Sequence, residues 1–153
     1  MIRPTERNRA GETEAPRGHE LVEHTADIGI RCWGPTPDEL FREATGALIE
    51  VMVGPVCAAG NERLCLELQA SCVEELLVTW LNELLVRFEI EGFLPGEITF
   101  VQLEEQRLRA RLSGARYDPA RWPIERQVKA ATYHLLQVEH SLDTWRATIY
   151  LDL

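Results

Sequence analysis

The chain has 153 residues, 45% of them hydrophobic, and a formal net charge of −9. That is enough for one domain with a substantial core, and no apolar run reaches the roughly 18 residues that a membrane-spanning helix needs. An acidic surface is repelled by phosphate backbones, so any role on RNA or DNA is expected to run through a protein partner unless a local basic patch makes an exception.

Residues 1–18 mix four arginines with three acids, interrupt them with Pro4, Gly11, Pro16 and Gly18, and have no hydrophobic period. They are expected to form a disordered tail and do not resemble a secretory signal, which leaves 19–153 as a single domain in a cytoplasmic protein. From His19 to Trp33 the chain is extended, with Ile28, Ile30 and Cys32 alternating against Gly29, Arg31 and Trp33. Thr36, Pro37 and Glu39 then supply a helix cap, a first-turn proline and a capping-box acid. Leu40, Phe41, Ala44, Leu48, Val51 and Met52 follow at helical spacing until Gly54-Pro55.

Alternation resumes over Arg63–Ala70 as a half-buried strand. Ser71 and Glu74 read as a second capping box. The helix behind it carries a wide apolar stripe through Leu76, Leu77, Trp80, Leu81, Leu84, Leu85 and Phe88, with Gly92 as its C-cap. Such a stripe predicts cover on more than one side. Asn82 and Glu83 fall on its polar side.

Residues 97–104 and 107–114 read as a hairpin around Glu105-Gln106, with Leu108, Ala110 and Leu112 inward and Arg107, Arg109 and Arg111 outward. Residues 115–126 form an ordered loop, and Val128–Glu139 and Trp145–Leu151 form two long strands joined near Ser141–Thr144. Two main helices and about six strands in this order make an α+β fold, a layered sheet and helix sandwich rather than a repeating βαβ wheel.

Few residues offer chemistry. Asp27 stands directly before an apolar strand, where a turn aspartate bonding its own backbone is the commoner use. His24, three residues earlier, is weak evidence for a metal site. At the other end, Ile149–Leu153 alternates like a packed strand, which would set Asp152 beside the terminal carboxylate of Leu153. Carboxylates that close repel unless a cation or a base joins them, and hard divalent cations take such oxygens. The chain has 15 arginines and one lysine, Lys129. A position that keeps a compact ammonium suggests a need for one, although compositional bias explains it equally well. Strand alternation would put Lys129 with Tyr133 on one face and Thr132 with His134 on the other.

The arginine triplet suits phosphates or an acidic partner, but such rows are more often solvated sheet faces. Cys32, Cys57, Cys65 and Cys72 have no C-x-x-C spacing and are read as structural or incidental. No glycine-rich phosphate loop, G-x-S-x-G or H-E-x-x-H is present. The residues alone support an acidic α+β domain with a small carboxylate site and name no reaction.

Taken together and in order, His24-Thr25-Ala26-Asp27-Ile28-Gly29-Ile30, Trp80-Leu81-Asn82-Glu83-Leu84-Leu85, Glu91-Gly92-Phe93, Val128-Lys129-Ala130-Ala131-Thr132-Tyr133-His134 and Leu151-Asp152-Leu153 resemble the archease family. The resemblance runs from about Glu20 to the last residue. It implies a protein, not itself catalytic, that activates an RtcB-type tRNA-splicing RNA ligase. The implied action is to promote guanylylation of the ligase's active-site histidine and so allow multiple turnovers.

The resemblance also implies a layered fold somewhat like that of a redox-regulated heat-shock chaperone. It implies a divalent cation (calcium, magnesium or manganese) at Asp27 and Asp152, and Leu153 adds its carboxylate to the expected ligands. Lys129 matches the lysine of the family motif and, with His24 and His134, is expected to meet the partner or its GTP. RNA is then met only indirectly, and no membrane is involved. A stand-alone metal-dependent phosphoester hydrolase and a holdase chaperone are the alternatives. The first lacks an evident water-activating base, and the second lacks a zinc-binding cysteine cluster.

Overall fold

The computed structural model describes residues 16–23 and 27–153. The tail expectation for 1–15 therefore lies outside the described residues. Its last part needs correction, because Gly18 opens a strand and Arg17 ion-pairs with Glu39 and Glu43.

The order is β1 (Gly18–Glu23), β2 (Ile28–Gly34), α1 (Pro37–Val53), β3 (Glu62–Gln69), α2 (Val73–Glu91), β4 (Phe93–Leu103), β5 (Arg107–Arg116), β6 (Ala130–Ala131), β7 (Gln137–Ser141) and β8 (Thr144–Asp152). All strand pairings are antiparallel. One sheet runs β1-β2-β8-β6, with β7 also on β8, and the other runs β3-β5-β4. Helix α1 packs on β1, β2 and β8 of the first sheet and on β4 of the second. Helix α2 packs on β6 and β7 of the first and on β3 and β4 of the second. The helices are thus the middle layer, which explains the wide apolar stripe of α2 and leaves the outer face of each sheet to solvent.

The helix ends follow local rules. Thr36 accepts from the Glu39 N–H at 3.2 Å, Pro37 starts α1, and Gly54 closes it at φ 88°. Gly92 closes α2 in the left-handed region, at φ 67°. The second cap differs from expectation. Helix α2 starts at Val73 after Cys72, so Glu75, not Glu74, lies one turn from Ser71, and its carboxylate accepts from the Ser71 N–H and hydroxyl at 2.6 and 2.8 Å.

The middle layer is stitched by buried contacts. The Trp80 indole N–H donates to the Thr45 hydroxyl at 2.9 Å, and that hydroxyl donates to the Phe41 carbonyl at 2.8 Å. Phe100 of β4 meets the rings of Phe41 and Trp80 at 6.2 and 5.4 Å. Cys32 is fully buried, and burial pushes its thiol up to about 12, which makes it a packing residue.

Among the described residues eight strands replace about six, because two extended stretches are each two strands. In the first, β1 ends at Glu23 and β2 starts at Ile28. The second, 128–139, is interrupted: between the pairs Ala131↔Leu151 and Gln137↔Thr148, residues 132–136 lie opposite only Ile149 and Tyr150. Thr132 holds the Tyr150 carbonyl with its N–H and its hydroxyl, at 3.0 and 2.9 Å, and Leu135 turns the chain at φ 55°. Three extra residues therefore bulge outward, and the face-sharing expected of Lys129 with Tyr133 does not apply. Beyond it, Leu142 and Asp143 (φ 50° and 63°) make the two-residue turn into β8.

Candidate functional site

The β2–β8 register decides where the carboxylates stand. Its last pair is Ile28↔Leu151, both buried toward the helices. Asp27 directly precedes β2 and Asp152 ends β8, so the two flank this last pair at one end of the sheet. Because side chains alternate, they take the outer face, along with Gly29 and Tyr150. Asp152 is exposed and Asp27 half-buried.

The opposite edge of β8 brings the lysine. Ala130 pairs with Asp152, and the Lys129 N–H donates to the Asp152 carbonyl at 2.8 Å. The exposed side chain of Lys129 therefore starts one strand away from the Asp152 carboxylate. The half-buried side chain of Leu153 packs on the core edge. Glu23, opposite Ile28 on β1, adds a third acid nearby and meets Arg126 at 3.4 Å. So Asp27 and Asp152 flank the last β2–β8 pair, and the Lys129 backbone is bonded to that of Asp152. His134 lies one step along: its ring meets Tyr150 edge-on at 6.2 Å, and its N–H donates to the Thr132 hydroxyl at 3.3 Å. His24 lies outside the described residues.

The donors gathered here are all oxygens, which suits a hard divalent cation and not a soft one. Among the described residues no three His, Cys, Asp or Glu side chains converge on one point. Two side-chain carboxylates fit a cation only with further oxygens.

A model of the Archease protein family matches residues 19–153. This chain belongs to the archease family. An archease of Methanopyrus kandleri is 35% identical over 137 residues, which cover 88% of this chain and 98% of that protein. One from Pyrococcus abyssi is 36% identical over 138 residues, 88% of this chain and 97% of that protein. The solution structure of protein 1598 of Methanobacterium thermoautotrophicum superposes with a TM-score of 0.69 at 27% identity, over 89% of this chain and 99% of that one. The fold is shared also by a Thermotoga maritima crystal structure described as an archease and possible chaperone, with a TM-score of 0.59 at 24% identity and coverage of 88% and 96%. The relatives are named as proteins rather than as enzymes. No helix among the described residues is long and apolar enough to cross a membrane.

Three features of this archease were not legible beforehand. Asn82, expected on the polar side of its helix, bonds both backbone groups of Ala131: Nδ2 donates to the carbonyl at 3.1 Å, and Oδ1 accepts from the N–H at 2.8 Å. The only sequence signal was an asparagine inside a strong helix, where it is otherwise disfavoured. Tyr150 lies over Gly29, so closely that a methyl group at Gly29 would stand 2.8 Å from its ring. His19 faces Glu43 through Nδ1 at 2.8 Å and Glu50 through Nε2 at 2.9 Å. Carboxylates only accept, so the ring carries both protons. The Glu43 hydrogen bond leads in raising the His19 pKa, against the cost of burial. Burial disfavours the Glu43 charge, but His19 and Arg17 outweigh it and hold that carboxyl below its ordinary value. This network clamps β1 to α1 and is apart from the carboxylate end.

Proposed function

We propose that this archease activates an RtcB-type tRNA-splicing RNA ligase, promoting guanylylation of the ligase's active-site histidine and repeated turnover. Its acidic end is the working surface. Asp27, Asp152 and the Leu153 carboxylate hold a divalent cation there, and Lys129, with His134 and His24, meets the partner or its GTP. The reading is supported by the places of Asp27 and Asp152 at the two ends of the last β2–β8 pair and of Lys129 directly before β6. Family membership supports it.

The chemistry follows from charge. A cation held by these carboxylates supplies positive charge for triphosphate oxygens, and phosphoryl transfer depends mainly on placement and electrostatics. Asp27 and Asp152 orient the acidic end without entering a covalent step. The exposed Lys129 ammonium offers a compact charge to a phosphate. An acidic domain also complements the basic surface that an RNA-binding enzyme must carry.

The test is single-turnover guanylylation of the cognate ligase with GTP and manganese, with and without this protein. A rate increase that disappears in Asp152→Ala is the expected result. The Asp152 carbonyl, not its side chain, makes the strand contact to Lys129, so the variant keeps the fold. No increase with an otherwise active ligase, or full stimulation by the variant, overturns the proposal.

A further inference from the structure

The second sheet turns one face to solvent, and three arginines stand in a row along its central strand. Arg107, Arg109 and Arg111 are exposed, while Leu108, Ala110 and Leu112 between them are buried against the helices. Cross-strand neighbours on β3 are Gln69, Glu67 and Cys65; beside β4, the exposed Glu104 gives its N–H to the Arg107 carbonyl at 2.9 Å, Gln102 and Thr99 lie beside Arg109 and Arg111, and the exposed Glu97 lies opposite Ser113. Arg63 extends the basic row on β3 opposite Ser113. Among the described residues only Glu67 ion-pairs with any of the three, at 3.4 Å from Arg109, and it is itself 77% exposed. Such a pair contributes little. Among the described residues no carboxylate pairs with Arg107 or Arg111. Arg63, Arg107, Arg109 and Arg111 against Glu67, Glu97 and Glu104 leave this face a small positive excess in a chain of charge −9.

We propose that this face binds the phosphate backbone of a single-stranded nucleic acid. Alternate residues on a strand recur every roughly 6.6–6.8 Å, a step of the same order as that between successive phosphates of an extended chain. Each guanidinium offers a planar fork that matches phosphate oxygens. The flanking Gln69, Gln102, Thr99 and Ser113 add neutral donors of the kind that contact phosphate and sugar. An acidic protein partner fits less well. Protein interfaces centre on apolar or aromatic anchors, and this face has none beyond Val101, at the irregularity of β4.

The missing aromatics also set the character of binding. Without stacking platforms, recognition is electrostatic and independent of sequence. The site lies on the opposite layer from Asp27 and Asp152, so one molecule presents both faces at once. The proposal does not rest on ligase activation.

The test is fluorescence anisotropy of a labelled oligouridylate with the full chain alone. Three neutralised phosphates weaken affinity about 20-fold between about 50 and about 200 mM salt. The triple variant R107Q/R109Q/R111Q, with an unchanged melting temperature, loses the low-salt binding. Glu67→Gln frees Arg109 and tightens binding about twofold, the scale of an exposed ion pair. No anisotropy change at low salt, or equal binding by the triple variant, overturns the proposal. So does displacement of the oligonucleotide by polyglutamate at equal charge, which assigns the face to an acidic protein. Loss of self-association in the triple variant without any effect on the oligonucleotide assigns it to a second copy.

Discussion

The Asn82 carboxamide, in the middle of α2, pairs with both backbone polar groups of Ala131 in β6. It does for this two-residue strand what a neighbouring strand would do. The other edge of β6 is held by β8, and Lys129 leaves the sheet one residue before Ala130. The position of the lone lysine therefore depends on a helix residue remote in sequence. Ala131 is 4% exposed, so water cannot readily replace the lost bonds. Asn82→Ala is expected to cost about 2 kcal/mol, from two modest hydrogen bonds and two stranded backbone groups. Urea denaturation measures the loss, and amide exchange at Ala131 localises it. A change below about 0.5 kcal/mol, the ordinary effect of a surface substitution, would show that the pairing does not hold β6.

The contact between Trp80 and Thr45 joins the two helices through a buried polar pair. Thr45→Val keeps the shape and strands the indole N–H, at an expected cost of about 1–3 kcal/mol. Thr45→Ser keeps the hydroxyl and is expected to cost less than the valine. Equal losses in the two variants would attribute the effect to packing.

The clamp of His19 on Glu43 and Glu50 makes part of the stability pH-dependent. The folded His19 pKa lies above its reference of 6.5. Its contribution is therefore complete below that value and is lost as pH rises through the higher folded one. The groups facing it are Glu43 and Glu50 on α1, Arg17 at the start of β1, which also pairs with Glu43, and the buried Cys32 opposite on β2. The melting temperature is expected to fall as pH rises above the reference value of 6.5, with the slope removed in His19→Gln. The Glu43 share of the same contact is lost at acid pH, as its lowered pKa is crossed from above. An unchanged slope in His19→Gln would place the titrating group elsewhere.

Gly29 leaves room for the Tyr150 ring on the outer face, beside the carboxylate end. Gly29→Ala forces that ring aside, and an overpacked contact costs about 1–3 kcal/mol. In the double variant with Tyr150→Ala the glycine change is expected to cost much less. Additive losses in that cycle would show that the ring is not what the methyl group meets.

Much of the fold was legible because it rests on local rules. The cap at Thr36, the C-caps at Gly54 and Gly92, the alternation that turns Arg107, Arg109 and Arg111 outward, and the breadth of the α2 stripe each follow from neighbours within a turn or a strand. The carboxylates, too, could be named, since Asp27 and Asp152 each stand at the end of an apolar alternation. That they flank one strand pair could not be read from alternation, because nothing local sets the register between β2 and β8, more than 100 positions apart. The break at Thr132 escaped notice for the same reason: its hydroxyl is spent on the Tyr150 carbonyl, a partner 18 residues away. Asn82 was expected on a polar helix face, and its strand partner, like the carboxylates that face His19, is a property of the packed chain. Local backbone preference and hydrophobic period chose the elements of this protein, and long-range strand pairing around the two central helices decided which side chains share a site.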